Sequence, residues 1–80
     1  MNAIIIDDDK RVCRIISGFI KTDFPEIEVI ATAHDLLSGY EAIVKYAPEL
    51  LFLDIHLPDG TGFDLLEKLD NIGFKLIFIT

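Results

Sequence analysis

Four short apolar runs, separated by segments of helical period, set the tightest limit on what this chain can fold into. Ala3–Ile6, Ile27–Ala33, Leu50–Leu53 and Leu76–Thr80 are rich in β-branched and other large apolar residues, and polar or turn residues bound each of them. They read as buried strands. Between them, Lys10–Lys21 places Val12, Ile15, Ile16, Phe19 and Ile20 on one face at helical spacing. From about Asp35 to Tyr46, Leu36, Tyr40, Ile43 and Val44 do the same. Two N-caps are open there: Asp35, which is favoured, and Ser38 with Glu41 three residues on, the spacing of a capping box. A third helix is predicted from about Thr61 to Leu69, with Phe63, Leu65, Leu66 and Leu69 inward and Gly73 soon after its end. The order is therefore β-α-β-α-β-α-β. Continuously apolar strands alternating with amphipathic helices imply an α/β fold, a parallel sheet sandwiched by helices.

Composition narrows the classes further. Eighty residues, half of them hydrophobic, suit one small domain and exclude a disordered chain. No apolar run approaches the ~20 residues that would span a bilayer, so no membrane association is expected. Met1-Asn2-Ala3 lacks a basic leader segment, and the single Cys13 cannot form an internal disulfide. Both point to a cytoplasmic protein. Cys13 lies on the apolar stripe of the first helix and reads as a small buried hydrophobe. Fourteen acidic against seven basic residues give a net charge of −7, which argues against this segment gripping nucleic acid. Any contact with DNA would belong to an output domain outside this sequence.

In a parallel α/β sheet, functional groups collect beyond the carboxyl ends of the strands. Here the first strand runs into Asp7-Asp8-Asp9 and the third into Asp54. A strand order of 2-1-3-4 would make those two strands neighbours and bring three or four carboxylates into one cleft. Such a group repels itself unless a cation sits in it, and hard oxygen ligands suit Mg²⁺. The plainer reading is that Asp7–Asp9 only cap the first helix and that Asp54 only begins a turn. Acids at the ends of both central strands favour the joint reading.

These residues resemble the response-regulator receiver domains of two-component signalling. Ile4-Ile5-Ile6-Asp7-Asp8-Asp9 resembles their opening strand and acidic pair. Leu51-Phe52-Leu53-Asp54-Ile55-His56-Leu57-Pro58-Asp59-Gly60-Thr61-Gly62 resembles their phosphoacceptor segment, with a Pro four residues and a Gly eight residues after the acceptor. Ala47-Pro48-Glu49-Leu50 and Phe78-Ile79-Thr80 match the approach to the third strand and the end of the fourth. The resemblance implies a flavodoxin-like fold and a phosphoryl group passed from a sensor histidine kinase to Asp54. It implies Mg²⁺ held by Asp7, Asp8, Asp54 and the backbone carbonyl of His56, and Thr80 as the switch hydroxyl. Asp9 reads as an N-cap, Pro58 and Gly62 as shape, and His34 and His56 as surface or supporting side chains. The Phe52–Pro58 segment, the Ile77–Thr80 ending and the Ala33–Tyr40 approach to the second helix resemble receivers of LytTR-type transcriptional regulators.

The family's last helix–strand–helix, with a Lys at the strand tip, has no counterpart here. Residues 1–80 are accordingly expected to be the N-terminal two-thirds of a receiver. The outer edge of the fourth strand would then pair with further chain or with a second copy, as a homodimer. Three rival readings are weaker. A haloacid-dehalogenase-type phosphatase would need its nucleophile two residues before Asp59, where Leu57 stands. A degenerate receiver, acting as an interaction module without phosphorylation, would have lost Asp8 or Asp54. A flavodoxin-like cofactor binder would need Gly, Ser and Thr donors where the acids follow the first strand.

Overall fold

The computed structural model describes residues 1–79; the expected switch hydroxyl, Thr80, lies outside them. The elements run β1 (Asn2–Ile6), α1 (Lys10–Asp23), β2 (Glu28–Ala33), α2 (Leu36–Tyr46), β3 (Leu50–Asp54), β4 (His56–Leu57), β5 (Gly60–Thr61), α3 (Gly62–Glu67) and β6 (Lys75–Ile79). The main sheet is parallel in the order β2-β1-β3-β6, the 2-1-3-4 arrangement expected of the four apolar runs. The short β4–β5 hairpin was not expected, because two-residue strands carry no periodicity. It pairs antiparallel, His56 with Thr61 and Leu57 with Gly60.

Strand alternation divides the core between the two faces of the sheet. Ile4, Ile6, Leu51 and Leu53 face α2 and α3, where Ala33, Leu36, Ile43 and Leu65 close over them. Ile5 faces α1, against Cys13 and Ile20, with Ile16 and Phe52 packed beside them. Ile4, Ile5, Ile6, Leu51, Leu53 and Leu65 are the largest fully buried side chains. Each contributes ~1.5–3 kcal/mol relative to staying exposed. The two strands that end in acids are thus the most deeply held part of the molecule.

Most of the residues expected to face inward do so, but Ile15, Phe19, Val44 and Phe63 stay exposed. On α1 the buried side chains are Cys13 and Ile20, while Ile15 and Phe19 are 59% and 64% exposed. At the helical period Cys13, Ile16 and Ile20 lie along one side of the apolar arc and Ile15 and Phe19 along the other, and only the first side meets the sheet. On α2 the inward residues are Leu36, Gly39 and Ile43, and Val44 is exposed. Hydrophobic spacing does not mark Gly39, which is not hydrophobic. Yet a Cβ there would stand 2.7 Å from Ile6 Cδ1, so a larger residue would have to push the buried Ile6 side chain aside. On α3, Leu65 is buried but Phe63 is exposed, its ring tilted against Phe78 with centroids 5.4 Å apart.

The N-caps follow side-chain chemistry. Asp9 accepts from the Arg11 N–H to open α1, and Asp35 accepts from the Ser38 N–H to open α2. Thr61 and Asp64 form a reciprocal capping box on α3. Ala47 closes α2 in the left-handed region at φ 46, one residue before Pro48 stops the helix.

Candidate functional site: an acidic cluster at two strand ends

β1 and β3 are neighbours, so their carboxyl ends lie side by side. Asp7 and Asp8 follow directly on Ile6, and Asp54 is the last residue of β3. A carboxylate oxygen from each of Asp7, Asp8 and Asp54 lies within 4.8 Å of the others. Among the described residues this is the one group of three or more side chains placed to hold a metal ion.

The three acids differ in environment. Asp7 is 4% exposed, and its Oδ1 accepts the Asp9 N–H at 2.8 Å. Burial pushes its carboxyl above the ordinary aspartate range; the charges of Asp54 and Asp8 push the same way, against the Asp9 bond. Asp54 is half-buried, and its Oδ1 accepts the His56 N–H at 3.2 Å. Asp8 is exposed. A donor set of carboxylate oxygens alone, open to water on one side and destabilised by its own charge, fits a hard divalent cation that keeps several waters.

The neighbouring residues shape this cluster. Asp9 turns away to cap α1 and pairs with Arg11 at 3.3 Å, and those bonds hold its carboxyl below the usual range. Gly62 permits a close approach: a Cβ there would stand 2.7 Å from the Asp54 carbonyl oxygen and 3.1 Å from Leu53 Cγ. Its N–H donates to the Ile55 carbonyl at 2.7 Å, seating the start of α3 against the end of β3. The His56 side chain is exposed, and its residue enters the site through its backbone. Burial raises the pKa of the Cys13 thiol, as suits an unreactive core residue. A surface groove of about 640 Å³ beside Ser17, Lys21, Pro25 and Thr32 shares no residue with the acids.

Two contributions were not legible beforehand. Asp59, in the β4–β5 turn, accepts the Leu36 and Leu37 N–H groups at 2.6 and 3.1 Å and caps α2 from outside. Those bonds lower its pKa. It stands 23 residues from Leu36, and no local pattern signals so distant a cap. His34, read only as a surface or supporting residue, places Nδ1 2.9 Å from the Asp7 carbonyl oxygen.

Comparison with known proteins agrees with this geometry. The family model described as the response regulator receiver domain matches residues 3–80. The sensory transduction protein LytT of Enterococcus faecalis is 36% identical over 69 residues, 86% of this chain and 28% of its own length. The transcriptional regulatory protein CitB of Klebsiella pneumoniae is 35% identical over 82 residues, all of this chain and 35% of its own. A protein-glutamate methylesterase/protein-glutamine glutaminase of Rhizobium johnstonii is 38% identical over 66 residues, 82% of this chain and 19% of its own. The chain therefore spans about a third or less of the length of these relatives. Among solved structures, the MaeR response regulator bound to beryllium trifluoride superposes with a TM-score of 0.90 at 26% identity, over all of this chain and 66% of that one.

Proposed function

The chain belongs to the response regulator receiver family, and from that premise we propose that it takes a phosphoryl group onto Asp54 from the phosphohistidine of a sensor histidine kinase. The observation behind this is the position of Asp54 at the end of β3, with a carboxylate oxygen within 4.8 Å of those of Asp7 and Asp8. An Asp54 carboxylate oxygen attacks phosphorus, a P–O bond forms, and the P–N bond to the donor imidazole breaks. The imidazole nitrogen keeps the bonding pair and takes up a proton. Asp7, Asp8, Asp54 and the carbonyl of His56 would hold Mg²⁺, which supplies charge neutralisation for the transferring group. Asp8, exposed, would ligate the ion directly, and Asp7, buried and anchored by the Asp9 N–H, would hold it directly or through water. The His56 N–H steadies the acceptor carboxylate by bonding its Oδ1. Thr80 is proposed as the switch hydroxyl on the resemblance alone.

Receiver domains are signalling modules. That this one catalyses only its own phosphorylation and dephosphorylation is part of the proposal, as is a cytoplasmic location. Among the described residues no helix is long and apolar enough to cross a membrane. We take residues 1–80 as the N-terminal two-thirds of a receiver, a reading supported by their 66% coverage of the MaeR chain. The output is proposed to be transcription through a separate DNA-binding domain, as the names of LytT and CitB suggest. The methylesterase relatives favour a second reading, in which the receiver governs an attached enzyme. Homodimer formation through the outer edge of β6 is proposed for residues 1–80 alone; in a longer chain the remainder is proposed to lie over that edge.

The test is phosphorylation of the full-length protein by acetyl phosphate with Mg²⁺, read by intact mass. Wild type gains one phosphoryl group and Asp54→Asn gains none. An Asp54→Asn variant that gains it as readily as wild type would remove Asp54 from the role.

A further inference from the structure

The end of β1 is tied to the end of β2 by a side chain. The Asp7 N–H donates to the Ala33 carbonyl at 3.0 Å, the last backbone rung between the two strands. In a parallel ladder the next rung would bring the N–H of residue 35 to the Asp7 carbonyl. Here β2 has ended at Ala33, and Asp35 serves as the N-cap of α2. The bond to the Asp7 carbonyl oxygen comes instead from His34 Nδ1, at 2.9 Å. A carbonyl only accepts, so Nδ1 must carry the hydrogen. Cys13 Sγ lies 3.7 Å from the same oxygen, at the long limit of a weak thiol bond, so the ring is the stronger of the two donors.

We propose that His34 is a positioning residue for the acidic cluster, a role that rests on the reading of Asp7, Asp8 and Asp54 as a cation-binding phosphoacceptor site. The Asp7 carbonyl and the Asp8 N–H share one rigid peptide plane. Fixing that carbonyl fixes the rotation about the Asp7 Cα–C bond, and with it the direction in which Asp8 leaves the strand. The Asp9 N–H bond to Asp7 Oδ1 fixes the other end of the same turn. Asp8 is exposed, so burial adds little to this restraint. His34 therefore sets how nearly the Asp8 carboxylate is aligned with those of Asp7 and Asp54 before a cation arrives. Groups that orient metal ligands in this way are commonly worth ten- to a hundredfold in metal affinity.

The experiment measures Mg²⁺ binding to the full-length protein by calorimetry, with urea unfolding in EDTA alongside. His34→Asn keeps an N–H donor on the atom bonded to Cγ, where Nδ1 stands, and is expected to bind Mg²⁺ within about twofold of wild type. His34→Leu keeps the bulk without the donor, and should bind roughly tenfold more weakly. Its Mg²⁺ half-saturation for phosphorylation by acetyl phosphate should rise in proportion, with the maximal rate little changed. His34→Ala reads the same way should the Leu variant not fold. Donorless variants that bind Mg²⁺ as wild type does would overturn the role of His34. So would an Asn variant as impaired as Leu, since the ring's shape and not its bond would then matter. Wild type that binds no Mg²⁺ would instead overturn the reading of the acidic cluster, and the inference with it.

Discussion

Replacing Asp7 by Asn should make the metal-free protein more stable while removing its response to Mg²⁺. Two unit charges 4.8 Å apart, the outer bound on the spacing in the cluster, repel by ~0.9 kcal/mol in bulk water and ~3.5 kcal/mol at an effective dielectric of about 20. Asp7 has two such neighbours, Asp8 and Asp54. Asp8 is exposed and Asp54 half-buried, so solvent screens both pairs and the lower figure governs. Removing the Asp7 charge should then gain about 1–2 kcal/mol. The cost is small, because an Asn carbonyl can still accept the Asp9 N–H that Asp7 Oδ1 accepts at 2.8 Å. The pH dependence follows from the direction of the shift. The folded-state pKa of Asp7 is raised, so its charge destabilises the fold at pH above that value. The penalty fades as pH falls through the raised pKa toward the ordinary aspartate range, and the two proteins converge there. Mg²⁺ reverses the order: at a hundred times its Kd the ion adds ~2.7 kcal/mol to a protein that binds it, and Asp7→Asn should lose most of that gain. Urea unfolding of the full-length protein, with EDTA or with Mg²⁺, measures all three effects. An Asp7→Asn variant less stable than wild type in EDTA at neutral pH would show that the cluster is not repelling itself, and the reasoning would fail.

Asp8→Asn should weaken Mg²⁺ binding strongly in calorimetry, whereas Asp9→Asn should leave it nearly unchanged and loosen only the start of α1; equal losses would make the acids a diffuse patch. Gly62→Ala should destabilise by about 1–3 kcal/mol in urea unfolding and slow phosphorylation, since its Cβ would press on the Asp54 carbonyl; an unchanged rate would separate that contact from the site. Self-association through β6, whose Ile77 and Phe78 are exposed, should appear as concentration-dependent sedimentation of residues 1–80 alone and be absent from the full-length protein. Ile77→Lys should suppress it, and sedimentation that the substitution leaves unchanged would exclude that edge.

The architecture was legible because apolar β-branched runs are a strong signal. All four strands fall within a residue or two of the expected spans over the described residues, in the expected order. The acidic cluster was legible for a topological reason: strand order alone makes the ends of β1 and β3 neighbours. Helix orientation was less so. Hydrophobicity marks which residues can be buried, but the sheet beneath selects among them. Phe19, Val44 and Phe63 stay exposed, while Gly39 is buried because it is small. Long-range polar contacts were not legible at all. The bonds from Asp59 to the start of α2 and from His34 to Asp7 join residues 22 to 27 positions apart, and nothing in either local sequence announces them.

Magnitudes explain why the acids are tolerated where they stand. The repulsion among Asp7, Asp8 and Asp54 amounts to a few kcal/mol at most once solvent screens it. Ile4, Ile5 and Ile6 immediately before Asp7, with Leu51 and Leu53 before Asp54, are fully buried, and each contributes ~1.5–3 kcal/mol, more than one screened repelling pair costs. The strands that carry the acids are therefore held by more burial than the charges can undo, and the cluster stays assembled without a cation. Strain confined to side chains at the tips of two rigid strands is what a site needs if adding a divalent ion, or a phosphoryl group on Asp54, is to change local charge balance without unfolding the sheet. The same logic locates where such a change can travel. The core beneath the cluster is close-packed and resists movement. Two segments bond to the cluster from outside, the His56–Thr61 hairpin through the His56 N–H and the β2–α2 junction through His34, and Asp59 ties the two together at the start of α2.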